Sequence, residues 1–137
     1  MQKTIIDSGP LIALFDKNDK YHQPVLEFVK GFNGEFVTTW AVITEVTHML
    51  DFNLQVQINF LKWVEMGALS LYNIEQHELR EIIKMMSKYT NVPMDLADSS
   101  LMYIAQKEGI KNIVSIDSDF DIYRTIKKEA LNNLLRF

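Results

Sequence analysis

The stretch from Lys3 to Asp16, KTIIDSGPLIALFD, decides how the rest of the chain is read. Thr4, Ile5 and Ile6 form a short apolar run without polar alternation, the pattern of a strand buried on both faces. It delivers one carboxylate, Asp7. Ser8, Gly9 and Pro10 then start a helix, with Ser8 or Gly9 near the cap and Pro10 in the first turn, where a missing N–H does no harm. Leu11, Ile12, Leu14 and Phe15 give that helix its apolar side. The strand passes into the helix through an acid, where a nucleotide-binding protein would place glycines. The site it announces is therefore built on carboxylates, not on a phosphate-cradling loop.

Working outward, Tyr21 to Lys30 reads as a second helix carrying Val25, Leu26, Phe28 and Val29. Glu35 to Thr39 reads as a second strand. Trp40 to Leu50 has Val42, Ile43, Val46, Met49 and Leu50 at three-to-four spacing and reads as a helix, and Leu54 to Val64 continues likewise. Leu69 to Ile74 alternates as a strand. Glu75 to Tyr89 is expected to be one amphipathic helix, broken by Thr90-Asn91-Val92-Pro93. Asp95 to Glu108 is helical and stops at Gly109. Asn112 to Ile116 is a buried strand ending at Asp117, and the tail beyond Phe120 has room for a short helix and an edge strand. Strands separated by helices imply an α/β protein, a three-layer α/β/α arrangement around a central, mostly parallel sheet. The 137 residues are expected to form a single domain over positions 1–137. Open sheets of this kind place their chemistry beyond the carboxyl ends of strands, and two strands here end in an acid, Asp7 and Asp117.

The composition is that of a globular protein, 47% apolar and 23% charged. No apolar run approaches a membrane span, and no charged-then-apolar leader precedes the first strand. A cytoplasmic protein without membrane contact is expected. The absence of cysteine rules out disulfides, zinc–thiolate centres and cysteine nucleophiles. The net charge is −4. A protein that held nucleic acid by charge alone would be basic. Metal ions or local basic patches would have to do that work here.

Four segments present acids: Asp7, Glu45, the pair Asp95 and Asp98, and the pair Asp117 and Asp119. Each has an ordinary reading of its own. Asp7 and Asp95 are candidate helix caps, Glu45 a solvated helix residue, and Asp98 a favourable charge near a helix N-terminus. Asp117 and Asp119 suit a loop or turn. Capping does not call for acids at two strand ends and on two helices together. Convergent carboxylates repel one another, and some would hold protons. A divalent cation relieves this, and oxygen-only ligands select hard ions such as Mg²⁺ or Mn²⁺. Such a centre acts on phosphate esters, and a pair of ions would sit about 3.5–4 Å apart.

At these residues the chain resembles a PIN domain, the nuclease fold of the VapC toxins and of many standalone prokaryotic nucleases. The resemblance rests on IIDSGPLIALFD, TTWAVITEVTHML, PMDLADSSLMYIAQKEGI and IVSIDSDFDIYR, in this order, and spans essentially the whole length. It implies a metal-dependent endoribonuclease that leaves 5′-phosphate and 3′-hydroxyl ends. Asp7, Glu45, Asp98 and Asp117 match the family's core acids. Asp95 matches an acid found in part of the family. The resemblance assigns Asp7, Asp98 and Asp117 to a first ion, and Glu45, with Asp95 or Asp98, to a second ion or to activating water. Ser8 matches a small hydroxyl residue expected to hold the Asp7 carboxylate. Ser115 keeps a hydroxyl where threonine is commoner, and Asp119 is a supporting acid of the D-F pair. The implied partners are an RNA substrate, an antitoxin protein and a second copy in a homodimer. Such an antitoxin would lay a helix on an apolar face and offer a basic side chain to the acids.

Outside the acids the signals are weaker. His22, His48 and His77 are scattered, and no Ser/His/Asp arrangement or nucleophile elbow is present. Lys107, Lys111, Arg124, Lys127 and Lys128 suit either an RNA backbone or a solvated surface; Arg124 is the best single candidate because it follows the Asp117 loop. Ile82, Ile83, Met85, Met86 and Tyr89 make a stripe that suits a core or an interface, as do Phe52, Phe60 and Trp63. Two rival functions stand beside the nuclease. One is a PIN-fold protein that holds RNA or a partner without cutting. The other is an acid-pocket phosphatase or receiver domain. The phosphatase wants a second Asp where Gly9 stands, and the receiver wants an acidic pair where the first strand has Asp7 alone.

Overall fold

A strand buried on both faces needs neighbours on both edges, and β1 (Lys3–Ile6) has them: it pairs in parallel with β2 (Glu35–Thr39) and with β4 (Asn112–Val114). In the computed structural model, which describes residues 2–137, β3 (Leu69–Tyr72) and β5 (Asn132–Asn133) complete a sheet of order β3-β2-β1-β4-β5. Every pairing is parallel, so the sheet is wholly rather than mostly parallel. Ile5, Ile6, Val37, Ile113 and Val114 are buried along its middle.

The helices α1 (Ser8–Phe15), α2 (His22–Gly31), α3 (Trp40–Met49), α4 (Leu54–Glu65), α5 (Leu79–Met86) and α6 (Leu96–Glu108) form the outer layers. Leu11, Val25, Val42, Val46, Phe60, Leu101 and Ile104 seal them to the sheet. The three-layer α/β/α architecture is thus the one the strand–helix alternation implied. Ile82 and Met85 of the methionine stripe face the core, as does Phe60, whereas Phe52 is exposed. Among the described residues no helix is long and apolar enough to cross a membrane.

Several boundaries differ from those expected. The helix expected over Glu75 to Tyr89 is a 3-10 turn, Gln76–Glu78, followed by α5, which ends at Met86. Glu78 causes the break at its start: its carboxylate accepts from the Glu75 amide while the Glu75 side chain accepts in return, a reciprocal cap that sets a helix start inside an apolar period. The strands expected to reach Ile74 and Ile116 stop at Tyr72 and Val114. Asp95 caps α6 rather than joining it. In the tail, the only short helix before β5 is a 3-10 turn, Ser118–Asp121.

Strand register then positions the site. Ile6 lies opposite Val114, so the next residues, Asp7 and Ser115, emerge side by side at the carboxyl edge. The Asp7 amide continues the ladder to the Val114 carbonyl at 3.0 Å. From β1 the chain winds one way to β2 and β3, and it returns to β4 on the other side. The crevice between β1 and β4 is the switch point of the sheet, where α/β proteins form sites.

Candidate metal centre

Asp7 occupies the N-cap position of α1, yet its carboxylate makes no capping hydrogen bond. A capping role therefore does not account for it. Its side chain is buried, with Oδ2 accepting from Ser115 Oγ at 3.2 Å and Oδ1 without any partner. A buried carboxylate oxygen with no donor is costly unless something else satisfies it. Burial is the main reason the Asp7 carboxyl is pushed up to about 7, and the nearby charges of Glu45 and Asp117 add to it. The Ser8 backbone and the Ser115 hydroxyl act in the opposite direction.

Asp98 and Asp117 meet Asp7 from two other segments. One carboxylate oxygen from each of the three acids lies within 4.8 Å of the others. Asp98 projects from the first turn of α6. It is pushed up to about 8, first by desolvation and then by the charges of Asp95, Asp7 and Asp117. Asp117 follows β4, is exposed, and accepts from the Asp119 amide at 2.9 Å. Its own amide is held by Ser115 Oγ at 3.0 Å. Ser115 thus ties the Asp7 side chain to the backbone that carries Asp117. Three oxygen ligands, one with an orphaned buried atom, suit a hard divalent ion, and no His or Cys joins them.

The remaining acids divide. Glu45 on α3 is half-buried and accepts a hydrogen bond from Ser8 Oγ. Its charge reaches Asp7, but it lies outside the three-acid cluster. This corrects the expected role of Ser8, whose hydroxyl holds Glu45 and not Asp7. The Asp7 side chain belongs to Ser115 instead. Asp95 is exposed, and its Oδ1 caps α6 by accepting from the Asp98 amide at 2.8 Å. Asp119 stands in the 3-10 turn beside Asp117, outside the cluster. Arg124 is exposed, and its guanidinium donates to the carbonyls of Asp121 and Tyr123 at 2.6 and 2.9 Å. It lines a small cleft with Lys84, Lys88 and Gln106.

Sequence reasoning missed Tyr123. Its hydroxyl donates to the Pro93 carbonyl at 2.9 Å and stands 3.5 Å from Asp98 Oδ2. Burial, and then the charges of Asp98, Asp119, Asp117 and Asp95, raise the pKa of this phenol. An aromatic residue shortly after Phe120 was the only signal, and nothing in the sequence pairs it with a position 25 residues earlier.

The fold and its family are shared with known proteins. Ribonuclease VapC26 of Mycobacterium tuberculosis is 24% identical over 115 residues, covering 82% of this chain and 85% of that protein. Among solved structures, VapC20 of Mycobacterium tuberculosis, a Sarcin-Ricin loop cleaving toxin, superposes with a TM-score of 0.78 at 13% identity, over 87% of this chain and 93% of its own. VapBC2 from Rickettsia felis, bound to a DNA fragment from its promoter, superposes with a TM-score of 0.63 at 11% identity, over 96% and 98%. The sequence profile of the PIN domain matches residues 4–125, a span that runs from the first strand through the candidate acids Asp7 to Asp119. The chain belongs to the PIN domain family.

Proposed function

We propose that this chain is a divalent-metal-dependent endoribonuclease that hydrolyses RNA phosphodiester bonds, and that it is the toxin of a toxin–antitoxin pair. The observation that carries the reading is the convergence of Asp7, Asp98 and Asp117 at the switch point, with Asp7 Oδ1 buried and unpartnered. The ribonuclease name of VapC26 and the toxin description of VapC20 support the choice of RNA over other phosphate esters.

In this reading Asp7, Asp98 and Asp117 hold Mg²⁺ or Mn²⁺. Bound there, the ion supplies a counter-charge to the acids, polarises a phosphoryl oxygen and lowers the pKa of a water. Ser115 keeps the Asp7 carboxylate facing the centre. Glu45 Oε1 is engaged by Ser8, which leaves Oε2 to take a proton from the attacking water. Asp95 holds the start of α6, and thereby Asp98, through its cap. Asp119 sets the Asp117 turn. Arg124, with Lys84 and Lys88, gives the RNA backbone a basic margin beyond the acids. The net charge of −4 is then compatible with a polyanionic substrate, because the ion offsets most of the pocket's negative charge and offers a phosphoryl oxygen a cation to bind.

The protein acts as a single cytoplasmic domain and forms a homodimer. The likeness to VapBC2 supports an antitoxin partner, and Phe52, Leu54, Leu61 and Met66, all exposed on or beside α4, are apolar surface on which it would pack.

The test uses end-labelled RNAs with the wild type and Asp7→Asn, each in Mg²⁺, Mn²⁺ or EDTA. Metal-dependent cleavage that vanishes with Asp7→Asn is expected. Cleavage that survives the substitution indicates a contaminating nuclease. No cleavage, together with no Mn²⁺ binding by calorimetry, would overturn the reading.

A further inference from the structure

We infer that Tyr123 is a positioning residue for the acid cluster, acting through Asp98. The inference rests on the metal-site reading above. Tyr123 is fully buried, with its ring packed edge-on against Phe120 at 5.4 Å and Tyr89 at 5.1 Å. Packing alone would be served by phenylalanine. A buried phenol is kept where its hydroxyl has a use.

That use is a tie between two segments. Asp98 sits on the first turn of α6, just after the Pro93 loop. Asp117 sits on the turn after β4, six residues before Tyr123. The two carboxylates carry like charge and repel each other. The Tyr123 hydroxyl crosses from the second segment to the first. It donates to the Pro93 carbonyl at 2.9 Å and reaches Asp98 Oδ2 at 3.5 Å. A phenol has one proton, so the shorter contact is the anchor and the Asp98 contact is the weaker branch. The first sets where α6 begins. The second packs the phenol oxygen against Asp98 Oδ2 and limits where that side chain can turn. Together they hold Asp98 at its distance from Asp117 against the repulsion. Tyr89 provides an internal comparison: its hydroxyl accepts from the Arg124 amide at 2.8 Å and bonds to no acid.

The test compares wild type, Tyr123→Phe and Tyr89→Phe by Mn²⁺ calorimetry, by the paramagnetic resonance spectrum of the bound Mn²⁺, and by melting in EDTA. Tyr123→Phe keeps the ring and removes only the hydroxyl. Its Mn²⁺ affinity is expected to fall about tenfold, in the range seen when outer-shell partners of metal ligands are lost. The bound spectrum should change with it. Tyr89→Phe is expected to lower melting similarly and to leave affinity and spectrum unchanged. Equal Mn²⁺ affinity in wild type and Tyr123→Phe would overturn the inference and leave the metal-site reading standing. So would an equal loss in both variants with an unaltered spectrum, which marks general loosening. A wild type that binds no Mn²⁺ would sink the metal-site reading and this inference with it.

Discussion

Asp7 and Ser8 are neighbours in the chain and serve different elements of the site. The chain turns from strand to helix between them, so their side chains diverge: Asp7 meets Ser115 across the β1–β4 edge, and Ser8 meets Glu45 on α3. This separates two substitutions that look alike on paper. Ser115→Ala removes the only side-chain hydrogen bond found for Asp7 and is expected to weaken Mn²⁺ binding about tenfold. Ser8→Ala frees Glu45 and is expected to leave Mn²⁺ affinity within about twofold, while cleavage at saturating metal falls about tenfold or more, as loss of an oriented general base would give. Calorimetry beside single-turnover cleavage measures both. Equal effects of the two substitutions on Mn²⁺ affinity would contradict the division. The acids themselves were legible because strand ends and a helix start are marked by apolar runs and by breakers. Their hydrogen-bond partners were not. Ser115 lies 108 residues from Asp7, and only the strand register brings the two together.

At the level of elements, α6 carries most weight, because its two ends have separate duties. Its N-terminus, capped by Asp95, presents Asp98. Its C-terminus closes on Gly109 at φ +68°, with nothing near the place where a Cβ would sit. Gly109→Ala therefore costs backbone strain without a clash, about 1 kcal/mol. Melting should fall by a few degrees and Mn²⁺ affinity should stay at wild-type level, since the strain falls about three turns from Asp98. This terminus was legible from Gly109 alone. The start of α5 was not. Glu78 sits on the apolar period of the expected longer helix, and its real partners are scattered: the Glu75 amide, the Tyr103 hydroxyl at 2.7 Å, the Tyr72 hydroxyl at 3.2 Å, and the Lys107 ammonium. Periodicity records that a position faces inward. It does not record that the inward residue is a charge with a cap to make. Glu78→Ala removes the cap and these bonds together. A loss of about 1–2 kcal/mol in urea unfolding is expected, with cleavage preserved. Unchanged stability would mean that Lys107 and the tyrosines find other partners at no cost.

Across the whole molecule, the alternation of strands and helices announced the architecture, while the strand order β3-β2-β1-β4-β5 depends on long-range pairing that no local pattern encodes. That order places three acids at one edge, and the whole fold bears the consequence. The Asp7 and Asp98 carboxyls bind protons more tightly in the folded chain, at about 7 and about 8, than at their ordinary value of 3.8. Without metal, the stability from this source is complete below pH 4, declines as the pH rises, and is gone above pH 8. Glu78 works in the opposite direction at the acid end. Held near 2 chiefly by Lys107, it contributes stability above pH 4.5 that is lost as the pH falls toward 2. In EDTA the chain should therefore be most stable near pH 4–5. From there to pH 8 it should lose at least about 3 kcal/mol, most of it from the buried Asp7, with a smaller share from Asp98, which is part-exposed and screened. For a chain of this size that is roughly 3–5 °C of melting temperature per kcal/mol. A divalent ion opposes this loss, because it binds the ionised acids: at one hundred times its Kd it adds about 2.7 kcal/mol at pH 8. Melting curves from pH 4 to 8, in EDTA and in Mn²⁺, should diverge as the pH rises. Asp7→Asn combined with Asp98→Asn should flatten both curves and bring them together. Parallel curves in the wild type would mean that the acids carry no metal-linked charge, and the catalytic reading would have to be rebuilt on other residues.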